Sequence, residues 1–333
     1  MTYPRTVIKA HGTGNDFVIY FDPTGEYEPT PEEVRFLADR HFGIGGDGVI
    51  RLTRPEHVSD VSEEQAKEFH AQGADWFMDY RNADGSLAEM CGNGTRVTAA
   101  LAMREELTRA TEEEPFALAT RAGIKYLTSL GAVEGLGQNV FRIDMGPWKL
   151  GAREELMVTL PGGGEQGMGT FADMGNPHVV TVVGEPLDLN SLMGPMGGVS
   201  TGFGFGIGIG SGTGISVNTL PDVPDLDLTR TPRVTPELPA GQNAEFVRID
   251  AMDKSADQGE GRGKATMRVN ERGAGETLSC GTGLCATGAV LAERTGVKHW
   301  TISVPGGVLL VDVEEERVLL TGDATLVAEV ELL

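Results

Sequence analysis

The chain has few cysteines, no excess of basic charge and no long apolar run, and each shortage removes a class of function. Three cysteines among 333 residues do not make the disulfide scaffold of a small secreted domain. Lysine and arginine number 27 against 49 acids, a net charge of −22, which argues against a nucleic-acid partner and speaks to solubility rather than chemistry. The acids are dispersed except in Glu112-Glu113-Glu114 and Glu314-Glu315-Glu316, read as solvated loops or edges. No apolar stretch approaches the ~18 residues that cross a bilayer. The N-terminus also lacks a basic region followed by an apolar core and a small-residue cleavage site, so a soluble cytoplasmic protein is expected. Short solenoid-type repeats are missing too.

The length suits roughly two domains of ordinary size, and a doubled pattern fills it. The run Glu271-Arg272-Gly273-Ala274-Gly275-Glu276-Thr277-Leu278-Ser279-Cys280-Gly281-Thr282-Gly283 crowds charge, glycine and a thiol. Small and apolar residues without proline follow, from Leu284 to Leu291, which predicts a buried helix of about three turns. Met90-Cys91-Gly92-Asn93-Gly94 stands ahead of a similar run, Thr95 to Met103; the cysteines are 280 − 91 = 189 positions apart. At that offset Met78, Gly94, Thr98 and Ala100 match Met267, Gly283, Thr287 and Ala289. Gly14-Asn15 ahead of Phe17-Val18-Ile19 likewise has a counterpart in Gly175-Asn176 ahead of Val179-Val180. The expected fold class is therefore α+β, with two pseudo-symmetric domains, each a mixed β-sheet wrapped around a central α-helix. A cysteine at each helix N-terminus, where unpaired amides and the dipole favour negative charge, is expected to have a lowered pKa beside a site for a carboxylate.

In chain order, Thr6 to Lys9 and Phe17 to Tyr20 read as strands around a glycine turn that presents Asn15, with His11 a turn or packing residue. Pro31 to Arg40 reads as a helix with Val34, Leu37 and Ala38 inward, and Gly43-Ile44-Gly45-Gly46-Asp47-Gly48 as a loop feeding the strand Val49 to Leu52. That loop has neither the Lys-Ser/Thr of a P-loop nor a strand-to-helix setting, which argues against nucleotide binding. Residues 54–75 are polar and read as an exposed excursion, followed by a strand at Trp76 to Tyr80 and the turn Asn82-Ala83-Asp84-Gly85. Further strands are expected at Phe116 to Ala119, Ile124 to Thr128 and Val140 to Asp144, with a crossover at Met145-Gly146-Pro147. The second half repeats strands at Phe171, Val179, Phe246, Ala265, Thr301, Val308 and Val318. Its Asn-to-Cys spacing is 280 − 176 = 104 against 91 − 15 = 76 in the first half, about 28 residues longer. The surplus falls at residues 194–214, where ten of 21 residues are glycine, read as a flexible loop.

Two opposed Cys-Gly-x-Gly helix starts suit inversion at a carbon that bears an acidified hydrogen. A base works on one face and an acid on the other, and a thiolate and a thiol exchange these roles when the reaction reverses. Both N-termini would stabilise the charge that develops on a shared carboxylate. No cofactor is required, and no pyridoxal lysine setting is evident. Cys280 and Cys285 form a C-x4-C pair without a second ligand pair, and His178 and His299 stand isolated in sequence, which argues against zinc. Cys285 reads as a small buried hydrophobe. If Cys91 and Cys280 flank one carbon and have lowered pKa values, oxidation would cross-link them and leave Cys285 out.

At these residues the sequence resembles the diaminopimelate epimerase family, the pyridoxal-independent enzymes of lysine and peptidoglycan-precursor biosynthesis. The resemblance runs through Gly12-Thr13-Gly14-Asn15-Asp16-Phe17, Arg81-Asn82-Ala83-Asp84-Gly85-Ser86, Met90 to Gly94, Gly175-Asn176-Pro177-His178, Asn243-Ala244-Glu245-Phe246 and Glu271 to Gly283. It implies interconversion of LL- and meso-diaminopimelate by Cys91 and Cys280, with no cofactor and no metal. It further implies that Asn15 and the backbones of Gly92, Asn93, Gly281 and Thr282 surround the reacting end. Asn82, Asn176, Asn243, Glu271 and Arg272 would hold the distal amino-acid end. A homodimer is implied, with halves at 1–144 plus 322–333 and at 145–321. Asn270 departs from the family, where an aromatic is usual, and so does the insertion at 194–214. Three alternatives stay open: a proline racemase-like two-cysteine enzyme, which the Glu271-Arg272 pair disfavours; a phenazine-biosynthesis-type isomerase, which would lack the thiols; and a binding module with structural cysteines.

Overall fold

The computed structural model describes residues 3–184, 218–253 and 261–333. The glycine-rich stretch 194–214 therefore lies outside the described residues. The first seven strands are β1 (Thr6–Gly12), β2 (Asn15–Asp22), β3 (Gly48–Thr53), β4 (Trp76–Asn82), β5 (Phe116–Thr120), β6 (Gly123–Val133) and β7 (Gly137–Asp144). The next are β8 (Lys149–Leu150), β9 (Leu156–Thr159), β10 (Gln166–Asp173), β11 (Pro177–Val182), β12 (Arg233–Thr235), β13 (Asn243–Asp253) and β14 (Arg262–Glu271). The last five are β15 (Gly275–Thr277), β16 (His299–Val304), β17 (Gly307–Val313), β18 (Val318–Asp323) and β19 (Thr325–Glu331). Four α-helices occur among the described residues: α1 (Pro31–Ala38), α2 (Glu63–Ala71), α3 (Gly92–Arg104) and α4 (Gly281–Thr295).

The same order of pairings occurs twice. Along β1-β2-β3-β4-β5-β6-β7 the neighbours run antiparallel, parallel, antiparallel, parallel, antiparallel, antiparallel. Along β10-β11-β13-β14-β16-β17-β18 the sequence of pairings is identical. The β4/β5 and β14/β16 pairs are parallel and need a crossover; α3 and α4 supply it. The two seventh strands, β7 and β18, pair with each other from Val140↔Asp323 to Asp144↔Leu319 and join all strands into one hydrogen-bonded network. Strand β19 returns to the start of the chain and pairs with β1.

Both crossover helices are buried almost all round, which is why their sequences are rich in Gly, Ala and Thr and show no polar stripe. In α3 every residue from Gly92 to Ala102 is buried; in α4 burial runs from Gly281 to Leu291, broken at Thr282. Val97 and Leu101 of α3 share one core cluster with Leu284, Val290 and Leu291 of α4. The outer helix α1 is amphipathic instead. Val34, Leu37 and Ala38 face inward, and a Thr30/Glu33 capping box with Pro31 in the first turn starts the helix.

Local differences from the sequence reading have local causes. Helix α1 stops at Ala38 rather than Arg40 because Asp39 is extended. The polar excursion at 54–75 is exposed for most of its length but holds α2, opened by a Ser62/Gln65 capping box. With Ala66 its only buried residue, α2 gives almost no hydrophobic period.

Candidate active site

Cys91 and Cys280 are the N-cap residues of α3 and α4, both in extended backbone geometry (φ −141°, ψ 119° and φ −120°, ψ 114°). The doubled glycines have a steric reason. A Cβ on Gly281 would lie 3.4 Å from Cα of Gly92, so the two helix starts approach closely. A Cβ on Gly94 would meet Ile50 Cδ1 at 3.0 Å, and one on Gly283 would meet Glu245 Oε1 at 2.6 Å, so the second glycine of each motif lets its helix approach a neighbouring strand.

Around Cys91 the sulfur accepts from the Gly94 amide at 3.5 Å, and its S–H donates to Asn15 Oδ1 at 3.4 Å. Asn93 Nδ2 donates to the same Asn15 oxygen at 3.2 Å and to the Ser279 carbonyl at 3.1 Å, which ties the α3 start to the residue before Cys280. Asn15 Nδ2 in turn donates to Asp47 Oδ2 at 2.6 Å. Asn15 stands at a tight β1/β2 turn, where Thr13 and Gly14 have φ of 53° and 80°. The turn is packed so closely that a Cβ on Gly306 would fall 2.0 Å from the Thr13 carbonyl oxygen.

Around Cys280 the sulfur lies 3.6 Å from Thr282 Oγ1, which accepts from Asn176 Nδ2 at 3.4 Å. Asn176 Oδ1 receives His178 Nε2 at 3.0 Å, and His178 Nδ1 faces Glu245 Oε1 at 2.7 Å; both ring and carboxylate are fully buried. Glu271 Oε1 accepts from Thr277 Oγ1 at 2.5 Å, and the Glu271 carboxyl also hydrogen-bonds the Cys280 side chain. Asn243 Oδ1 accepts from the Arg272 amide at 2.9 Å, and the Arg272 guanidinium donates to the Ala240 carbonyl at 2.5 Å.

The thiols are not acidified, contrary to the expectation from their helix positions. All three cysteines are free. Burial pushes the Cys91 thiol up to about 11, with the Glu271 charge adding to the rise and the Gly94 and Asn93 amides and Arg96 pulling the other way. Cys280 is raised well above the ordinary thiol value, first by burial and then by the carboxylates Glu271 and Glu245. Desolvation opposes ionisation more strongly here than the helix amides favour it. Burial likewise raises the carboxyl of Glu271. Cys285, fully buried inside α4, is raised for the same reason, in keeping with a packing role.

Most of the residues singled out from sequence fall around the two cysteines. Asn15, Gly92 and Asn93 adjoin Cys91; Gly281, Thr282, Asn176 and Glu271 adjoin Cys280. Asn243 and Arg272 form a flank beyond β13 and β14, with Arg272 exposed. Asn82 heads its turn with its side chain on Ser86 Oγ at 3.0 Å, and the turn is tied to the glycine loop by Ala83 N to Asp47 O at 3.1 Å. The sequence alone assigns no role to His178, which stands isolated there, nor to Glu245 and Asp47, which appear only as members of their runs. The parallel β11/β13 register that sets His178 opposite Asn243 has no local signal. Asn270, the residue that departs from the family pattern, is buried and donates to the Leu228 carbonyl at 3.1 Å.

A twice-repeated mixed sheet with a buried helix in each half, a cysteine at each N-cap, defines an α+β protein of the fold seen in phenazine-biosynthesis and proline-racemase structures. A Bacillus anthracis phenazine biosynthesis protein of the PhzF family superposes with a TM-score of 0.57 at 15% identity, covering 98% of both chains. A probable proline racemase from Agrobacterium radiobacter K84 gives 0.53 at 15% identity over 98% of this chain and 92% of its own. The chain belongs to the diaminopimelate epimerase family, whose sequence model matches residues 7–150 and 211–327. The diaminopimelate epimerase of Corynebacterium aurimucosum is 38% identical over 329 residues, 96% of each chain. That of Thermobifida fusca is 35% identical over 323 residues, 96% of this chain and 95% of its own. No described helix is long and apolar enough to cross a membrane.

Proposed function

We propose that this protein interconverts LL- and meso-diaminopimelate by a two-base reaction of Cys91 and Cys280, as a cytoplasmic homodimer serving lysine and peptidoglycan-precursor synthesis. The observation that carries the reading is the close approach of the two helix starts, Gly92 beside Gly281, each with a cysteine at its N-cap. One sulfur, as thiolate, removes the α-hydrogen; the other, as thiol, returns a proton to the opposite face. The electron pair left on the α-carbon spreads into the carboxylate, which the amides of Gly92, Asn93, Gly281 and Thr282 and the side chain of Asn15 receive. With both thiols raised by burial, the substrate's α-ammonium supplies the positive charge that favours a thiolate. Asn82, Asn176, Asn243, Glu271 and Arg272 hold the distal amino-acid end, and Arg272 pairs with its carboxylate. The halves of the enzyme are 1–144 with 322–333, and 145–321.

The test is to incubate the purified protein with LL-diaminopimelate and, separately, with L-proline, adding no cofactor, and to resolve the stereoisomers by chiral chromatography. Formation of meso-diaminopimelate alone is expected. Racemised proline with unchanged diaminopimelate would overturn the proposal.

A further inference from the structure

The glycine loop at residues 43–48, which binds no nucleotide on this reading, delivers Asp47 to the site. Asp47 Oδ2 accepts from Asn15 Nδ2 at 2.6 Å, while its Oδ1 is held by Arg40 at 2.8 Å. Asn15 touches Asn93, and Asn93 Oδ1 accepts from Arg96 Nη2 at 2.8 Å. Arg96 is fully buried beneath α3 and also donates to the Gly92 carbonyl at 3.2 Å, to Thr13 Oγ1 at 3.0 Å and to the Asp323 carbonyl at 3.2 Å. Burial lowers its pKa to about 10, still above neutral, so it remains a cation.

The two amides in the middle of this chain could each face either way, but the groups at its ends could not. An ionised carboxylate only accepts and a guanidinium only donates. Asp47 therefore draws the Asn15 NH₂ toward itself, and Arg96 draws the Asn93 oxygen. What is left to meet in the middle is one Asn93 N–H and the Asn15 oxygen, and that oxygen is the atom the Cys91 S–H donates to. With an oxygen rather than an N–H in front of the sulfur, the protonated form of Cys91 is the favoured partner.

We propose that Asp47 is a positioning residue that, opposed by Arg96, fixes the orientation of the Asn15 amide and thereby holds Cys91 as a thiol in the resting enzyme. Cys280, which has no such acceptor chain from the glycine loop, is outside its reach. The inference rests on the two-thiol reading for its catalytic meaning, but its test needs no turnover.

In Asp47→Asn the residue at 47 can donate as well as accept, so Asn15 is free to turn and present its NH₂ to the Cys91 sulfur. The test measures carboxamidomethylation of each cysteine by iodoacetamide at pH 8, by peptide mass mapping, without substrate. A fall of about one unit in the Cys91 pKa raises its thiolate fraction about tenfold at this pH, so about tenfold faster labelling of Cys91 with unchanged Cys280 is expected. Asp47→Glu, which keeps an acceptor-only group, should stay near the wild-type rate. Asp16→Asn removes the same charge from the same cluster, where Asp16 pairs with Lys9 and Arg40 and its amide donates to Asp47 Oδ2. It keeps that backbone donor and leaves the Asp47 carboxylate as the acceptor of the Asn15 NH₂, so Cys91 should be unchanged. Equal acceleration in Asp16→Asn, or equal acceleration of both cysteines in Asp47→Asn, would overturn the proposal. Unchanged Cys91 labelling in a folded Asp47→Asn protein would do so too.

Discussion

A methyl carbon built on Gly281 would stand 3.4 Å from Cα of Gly92, so the first residues of the two buried helices leave room between them for little more than a methyl group. The N-cap cysteines one residue upstream in each helix are consequently brought near one another by main-chain packing, with no long side chain needed to span a gap. Asn93, reaching the Ser279 carbonyl at 3.1 Å, locks that approach.

If each sulfur serves one face of the substrate, loss of either stops inversion. Cys91→Ala and Cys280→Ala should each lower kcat for epimerisation by at least the ~10² to 10⁴-fold that a positioned acid or base contributes. Cys285→Ala should keep activity. Near-normal turnover in either of the first two variants, read by chiral chromatography, would contradict the assignment.

The second glycines of the motifs should not be equivalent. In Gly283→Ala the new methyl would meet the fully buried Glu245 carboxylate at 2.6 Å, whereas in Gly94→Ala it would meet the free end of the Ile50 side chain at 3.0 Å. Overpacking of a rigid site costs about 1–3 kcal/mol, so urea denaturation should show a loss in that range for Gly283→Ala and a smaller one for Gly94→Ala. The reverse order would show that Glu245 is not held in place.

The raised thiol of Cys91 has a pH signature. Its folded pKa of about 11 lies above the ~8.5 of a free cysteine, so the folded state keeps its proton longer than the unfolded state. The associated stability is fully present below about pH 8.5 and is lost as pH rises through about 11. In the substrate-free enzyme, the Cys91 alkylation rate should climb toward a midpoint near 11 instead of levelling off above 8.5. The same setting makes peroxide oxidation of the resting thiols slow at neutral pH, the opposite of the expectation from helix position alone. A midpoint near the free-cysteine value would contradict this account.

Arg272 is exposed and donates to a backbone carbonyl, so Arg272→Ala should leave denaturant stability within ~0.5 kcal/mol of wild type. If it pairs with the distal carboxylate, kcat/KM for diaminopimelate should fall about 10- to 100-fold, or ~1.4 to 2.7 kcal/mol. An unchanged specificity constant would remove it from the distal site.

Much of this arrangement is written locally. The repeated Cys-Gly-x-Gly ahead of small residues predicts both helix starts, and the 189-residue offset between the cysteines reappears between Gly92 and Gly281, the first residues of α3 and α4. What was not legible depends on register or burial. His178 and Glu245 lie 67 positions apart and meet through the parallel β11/β13 pair. Asp47 meets Asn15 from a loop 32 positions away. The sign of the thiol shifts turns on desolvation, which exists once the halves have closed around the helix ends. Helix α2 carried its signal in a capping box, Ser62 and Gln65, rather than in its hydrophobic period.

The most direct test of the two-base claim is epimerisation of LL-diaminopimelate in deuterated water, stopped early and examined by NMR for the α-hydrogen of both isomers. The thiol that delivers the proton has equilibrated with solvent, while the hydrogen removed goes to the other sulfur. The account predicts meso product carrying deuterium at the inverted carbon, with recovered LL substrate still protonated. Product that retains its original hydrogen, or deuterium entering recovered LL substrate as fast as it enters product, would mean that one group serves both faces.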